Sequence, residues 1–244
     1  MQTQKTYYRD VLYPFQDGII SMMNELGTDF YLTGGTALSR AYYNHRFSDD
    51  LDYFTHNAPD FLNHVKLFLK ALNDSEQYSL DSKMAPQMNK DFSRLFIKST
   101  QKTDEVVLKI DFVNDIPVHY GEIIEDKVFG KLDSIENILI NKITALTRFE
   151  PKDIADIWMI SKKQTFRWDD TITKAKSKDA GVNEEQAAGI IRSFPSKFLS
   201  KIIWNIDVNV DTFFKEIAQI SQELIHGVEN TLCQPKSSHS QNQI

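Results

Sequence analysis

The stretch from Phe30 to Phe54, FYLTGGTALSRAYYNHRFSDDLDYF, constrains this chain more than any other. A short apolar strand runs into Gly34-Gly35, a small helix follows, and a second strand carries Asp50 and Asp52. A glycine turn at a helix start lets backbone N–H groups approach an anion such as a phosphate. Two aspartates at i and i+2 of a strand project from one face, their Cα atoms about 6.5–7 Å apart. Carboxylates so placed can hold one or two Mg²⁺ ions, which in turn grip the phosphates of a nucleotide. Leu51, Tyr53 and Phe54 argue for a half-buried strand rather than a polar loop. Two carboxylates on such a strand repel unless a cation lies between them.

A third carboxylate is available downstream. Residues 105–113 give the strongest strand pattern in the chain, with Val106, Leu108, Ile110 and Phe112 on one face. Val107, Lys109, Asp111 and Val113 fall on the other, so Asp111 is either the third member of the site or a Lys–Asp edge pair. Helical periodicity marks residues 8–26 and 59–72, and strands are expected at 30–33, 51–55, 78–84 and 92–99. After Pro117 the pattern turns mostly helical, beginning at residues 134–146 and 152–161. The fold class expected is α/β (α+β): a small mixed sheet over residues 1–125, a helical domain over 126–230, and a disordered polar tail over 231–244.

Composition removes several alternatives. A chain of 244 residues with 41% apolar content can bury a sizeable core. Cys233 is the only cysteine, and His45, His56, His64, His119, His226 and His239 show no metal-ligand spacing, so zinc hydrolysis and a disulfide framework are not expected. No apolar run is long enough to cross a bilayer and MQTQKTYYRD has no signal-peptide character, so a cytoplasmic protein is expected. The net charge of −6 argues against a general nucleic-acid coat. The cations between Lys142 and Lys178, Lys162 and Lys163 among them, form either an ordinary solvated helical face or an RNA-facing patch. Trp158, Trp168 and Trp204 read as packing residues.

Five segments carry a resemblance. Gly34-Gly35-Thr36-Ala37-Leu38 and Arg46-Phe47-Ser48-Asp49-Asp50-Leu51-Asp52-Tyr53 come first, followed by Lys109-Ile110-Asp111-Phe112, Asn141-Lys142-Ile143 and Lys152-Asp153-Ile154-Ala155-Asp156-Ile157. Over roughly the first two thirds of the chain this resembles the AbiEii/AbiGii toxin family. These are nucleotidyltransferases of the DNA polymerase β-like superfamily, found in bacterial abortive-infection and type IV toxin–antitoxin systems. The resemblance implies Mg²⁺-dependent transfer of an NMP unit from an NTP to an acceptor hydroxyl, most plausibly at a tRNA 3′ end, with a separate antitoxin as partner.

It also implies roles. Gly34, Gly35 and Thr36 would cradle the triphosphate, and Ser48 would cap the turn or touch phosphate. Asp50 and Asp52 would hold metal, with Asp111 as third carboxylate and base. Lys142 would approach the triphosphate, and Asp153 and Asp156 match an acidic segment in which Lys152 replaces the usual arginine. Two readings stay open here: Lys142 snorkels from an apolar helix, and Arg148 with Asp153 or Asp156 forms a structural salt bridge. A small-molecule (antibiotic-type) nucleotidyltransferase and a non-catalytic nucleotide-binding protein are the rival functions.

Overall fold

A computed structural model describes residues 2–100 and 106–233. Helical turns run from Gln2–Tyr7 through Tyr8–Leu12 into α1 (Tyr13–Glu25). The strands are β1 (Tyr31–Thr33), β2 (Leu51–His56), β3 (Tyr78–Leu80), β4 (Gln87–Met88), β5 (Phe92–Ser99), β6 (Val107–Asp115), β7 (Ile124–Asp126) and β8 (Gly130–Leu132). All lie in one mixed sheet in the order β3-β5-β6-β2-β1-β8-β7, with β4 beside β5. β2 runs parallel to β6 and antiparallel to β1, and β5 is antiparallel to β6.

The alternation read from residues 105–113 decides the sheet's two faces. Leu108, Ile110 and Phe112 are fully buried on one side, while Lys109 and Asp111 leave by the other. Helix α2 (Phe61–Asp74) covers the apolar side with Phe61, Val65, Phe68 and Leu72, a stripe at helical spacing. The Phe68 ring lies 5.3 Å from that of Phe112.

Helices α3 (Ile135–Thr144), α4 (Pro151–Lys163), α5 (Trp168–Lys178), α6 (Glu184–Arg192) and α7 (Val210–His226) follow. Local chemistry sets their ends. The Ser134 hydroxyl accepts the Asn137 N–H at 2.9 Å to start α3, Pro151 occupies the first turn of α4, and Gly227 closes α7 at φ 62°.

Two expectations change. The sheet does not stop at residue 125: β8 pairs in parallel with β1 through Leu32 and Leu132, so strands continue to residue 132 before α3 begins. From sequence only a short extended piece near residues 126–129 is expected here; the strands lie on either side of it, each three residues long and β7 largely polar, too short to show a period. Residues 231–233, expected to belong to a disordered tail over 231–244, are ordered. Thr231 donates to Glu223 and Leu232 packs on the core, while residues 234–244 lie outside those described.

A long-range contact then fixes the loop ahead of β2. The Phe47 N–H donates to the Ile203 carbonyl at 2.8 Å, and the Asn205 N–H donates to the His45 carbonyl at 2.9 Å. The segment from His45 to Phe47 is therefore held by residues more than 150 positions later.

Candidate active site

One row of residues crosses four neighbouring strands. Thr33 of β1 stands opposite Asp52 of β2, Asp52 beside Asp111 of β6, and Asp111 opposite Arg94 of β5. Adjacent positions in such a row are about 5 Å apart, so the carboxylates of Asp52 and Asp111 are near neighbours. Asp50 directly precedes β2.

Each of the three aspartates meets a different environment. Asp111 is buried and receives both arms of Arg94, Nε to Oδ1 and Nη2 to Oδ2, at 2.7 Å each. Asp50 pairs with Lys109 at 2.8 Å, and the same ammonium lies 3.6 Å from Asp111. Among the described residues Asp52 carries neither a hydrogen bond nor an ion pair. Burial pushes its carboxyl up to about 6, helped by the Asp111 and Asp50 charges.

The glycine pair sits against this row. Gly34 has φ +66°, and a Cβ on it would come 2.6 Å from Asp52 Oδ2. A side chain there would both strain the backbone and collide with the carboxylate. A Cβ on Gly35 would lie 2.6 Å from Arg46 Nη2 and 3.1 Å from Ser48 Oγ. Ser48 is buried and its N–H donates to the Tyr13 hydroxyl, which places it inside the turn. The Thr36 hydroxyl donates to the Asp50 carbonyl, tying the helix start to the carboxylate segment.

Across from the sheet lies α3. Thr33, Gly34, Asp52, Ile138, Lys142 and Arg148 help line a cavity of about 120 Å³ between β1, β2 and this helix. Lys142 does not snorkel. Its ammonium pairs with Asp153 at 2.6 Å and Asp156 at 2.8 Å. Burial disfavours its charge, but the two carboxylates outweigh this and raise its pKa above the ordinary lysine value. Arg148 reaches Asp153 at 3.8 Å, as the salt-bridge reading expected.

Asp156 is the centre of a buried cluster. It accepts from Arg46 Nε at 2.7 Å, from Arg46 Nη2 at 2.6 Å and from His45 Nε2 at 2.9 Å, besides pairing with Lys142. Arg46 and Asp156 are both fully enclosed. Burial alone would raise the Asp156 pKa, but the surrounding cations hold it well below the usual carboxylate range. Asp49 points elsewhere, accepting from Lys152 and Tyr8.

The donor chemistry suits Mg²⁺, since all three candidate ligands are carboxylates and one is bare. In the arrangement seen, no three His, Cys, Asp or Glu side chains among the described residues converge on one point. The physical reason is that Arg94 and Lys109 draw Asp111 and Asp50 to themselves. Both cations are about one-third exposed. Sequence reasoning missed Arg94 and the Arg46–Asp156 pair. From sequence, Arg46 either pairs with an acidic neighbour or faces the nucleotide, and the structure shows the first.

The cations further along are largely neutralised. Lys162 pairs with Glu216, Lys174 with Glu136 and Asp170, Lys176 with Glu184, and Lys178 with Asp115. That pattern favours an ordinary helical face over an RNA-facing patch there. Trp158 and Trp204 meet edge to face at 5.7 Å and Trp168 is fully buried, so all three are packing residues.

A mixed sheet backed by helices, with a glycine turn beside paired aspartates, is the fold of a nucleotidyltransferase. The chain belongs to the family described as "Nucleotidyl transferase AbiEii toxin, Type IV TA system", whose model matches residues 22–220. Its fold is similar to that of JHP933 from Helicobacter pylori, with a TM-score of 0.58 and 18% identity over 86% of this chain and 89% of that one. A candidate nucleotidyltransferase from H. pylori aligns at TM-score 0.60 and 18% identity, over 89% of this chain and 95% of that one. No curated protein matches the chain. Among the described residues no helix is long and apolar enough to cross a membrane.

Proposed function

We propose that this nucleotidyltransferase moves an NMP unit from a Mg²⁺-bound NTP to the 3′-hydroxyl of a tRNA, and that a cognate antitoxin holds it in check. The reading rests chiefly on one observation: Asp52, bare and beside Asp111, faces a cavity whose opposite wall carries Lys142 and Arg148.

Asp50, Asp52 and Asp111 are the residues that would hold the metal. When bound, Mg²⁺ neutralises the triphosphate and lowers the pKa of the attacking hydroxyl. The rest falls to side chains and backbone. The N–H groups after Gly34 cradle phosphate oxygens, and Thr36 keeps that turn against the Asp50 carbonyl. Lys142 of α3 and Arg148 of the turn that follows it face the triphosphate, with Asp153 and Asp156 holding Lys142 in place. Asp111, once Arg94 swings off it, accepts the proton of the acceptor hydroxyl as that oxygen attacks the α-phosphorus. The bond from the α-phosphorus to the bridging oxygen breaks, and pyrophosphate leaves in line. Arg94 and Lys109, freed from carboxylates, meet the charge of the incoming phosphates.

Incubation with each α-labelled NTP, Mg²⁺ and total RNA is expected to label RNA, and Asp111→Asn is expected to bind Mg·NTP without transferring label. Label on no RNA with any NTP would overturn the reading, and label on a small molecule instead would assign the antibiotic-type activity.

A further inference from the structure

Phe149 stands out. It has φ +56°, a left-handed conformation that a bulky aromatic residue adopts at a cost, yet its side chain is 64% exposed. Burial does not explain its presence, since glycine or asparagine would relieve the backbone at the same turn. Its neighbour Arg148 is 67% exposed and lines the Asp52 cavity. Phe149 itself lies on a second, apolar cavity of about 170 Å³, shared with Leu146, Ile154, Phe194 and Phe198. The two cavities therefore adjoin through the Arg148–Phe149 peptide.

The far side of the second cavity carries uncompensated charge. Lys201 Nζ sits 4.4 Å and Lys197 Nζ 5.6 Å from the centre of the Phe198 ring. Neither lysine pairs with a carboxylate among the described residues, unlike Lys162, Lys174, Lys176 and Lys178. Phe149 is exposed and Phe198 half-buried with Lys201 over its ring, and the exposed Glu150 also lines the cavity. An open ring beside lysines that have no carboxylate partner suits a single strand: a base stacks on the ring while the lysines meet the phosphates. A protein partner fits less well, because lysine is depleted at protein interfaces.

We infer that Phe149 and Phe198, with Lys197 and Lys201, form the platform on which the last bases of a single-stranded RNA stack as its 3′-hydroxyl enters the Asp52 cavity. This rests on the proposed RNA acceptor and names the surface that receives it.

The test uses the full chain, a short fluorescein-labelled RNA with a free 3′-hydroxyl, and the same RNA annealed as a blunt duplex. Phe149→Gly removes the ring and relaxes the backbone, so the variant is expected to melt no lower than the parent. Its affinity for the single strand is expected to fall about 5- to 150-fold, the range for loss of one base–aromatic stack. Mg·NTP affinity, measured on the same samples, stays unchanged. The double variant Lys197→Gln/Lys201→Gln is expected to lower the slope of log affinity against log salt by about 1.4, at about 0.7 per phosphate contact for single strands. Unchanged single-strand affinity in Phe149→Gly, or equal binding of the duplex, overturns the inference while leaving NMP transfer standing. Failure of the parent to label any RNA overturns the function itself, and is read in the separate transfer assay.

Discussion

Asp52→Asn isolates a carboxylate that has neither hydrogen bond nor ion pair among the described residues. Its carboxyl lies at about 6 in the folded chain against an ordinary 3.8, raised by burial and by Asp111 and Asp50. Between these values the folded state binds more protons than the unfolded state, so stability falls as pH rises through that window. Above it the full penalty applies: roughly two pH units at about 1.4 kcal/mol each, or about 3 kcal/mol. Asparagine removes the charge and keeps the shape. Without divalent cation, the variant should gain about 3 kcal/mol near pH 8 and almost nothing near pH 3, below both values. At about 2–4 °C per kcal/mol for a chain of this size, Tm should rise by about 6–12 °C at the higher pH. Thermal unfolding in chelator across that pH range reads this directly. Adding Mg²⁺ should then raise the Tm of the parent and barely move that of the variant, which is expected to transfer no NMP. Parent and variant curves that run parallel at every pH would refute both the strained charge and its assignment to metal.

Arg94→Gln removes the fork on Asp111 and should lower the Mg²⁺ concentration that gives half the maximal thermal shift; an unchanged midpoint would show that Arg94 does not compete with metal. Lys142→Ala should weaken Mg·NTP binding at least about tenfold while leaving RNA affinity near that of the parent, since a methyl replaces no charge-assisted hydrogen bond. Loss of stability with unchanged NTP affinity would confine this lysine to the buried cluster. Asp156→Asn leaves the enclosed Arg46 guanidinium short of a counter-charge and should cost about 3–5 kcal/mol in denaturant unfolding; a loss under about 1 kcal/mol would mean that the cluster is not structural.

What could be read ahead of the structure was whatever is local. The alternation around Asp111 assigned its face, and helical spacing from Phe61 to Leu72 assigned the helix beneath it. The Gly34 turn, Asp52 of β2 and Asp50 just ahead of it were legible for the same reason, each being a short-range pattern with few alternatives. Arg94 was not, because its meeting with Asp111 depends on which strands pair and in which register, 17 residues apart. Arg46 and Asp156 are 110 residues apart and meet only once α4 docks on the β2 loop. Lys142 was ambiguous because an ammonium in an apolar helix looks the same in sequence whether it reaches solvent or buried carboxylates. Phe149 gave no signal at all, since nothing in its letters marks a left-handed backbone.

The hydrogen bonds between His45–Phe47 and Ile203–Asn205 have a temporal consequence. A ribosome releases the chain from its N-terminus, so the sheet and the glycine turn emerge long before the residues that clamp the loop ahead of Asp50 and Asp52. Until residue 205 has left the exit tunnel, Arg46 can reach Asp156 but the loop backbone lacks its partners. A nascent or truncated chain ending before that point carries Asp50, Asp52 and Asp111 but lacks the backbone partners of the loop that leads into the first two.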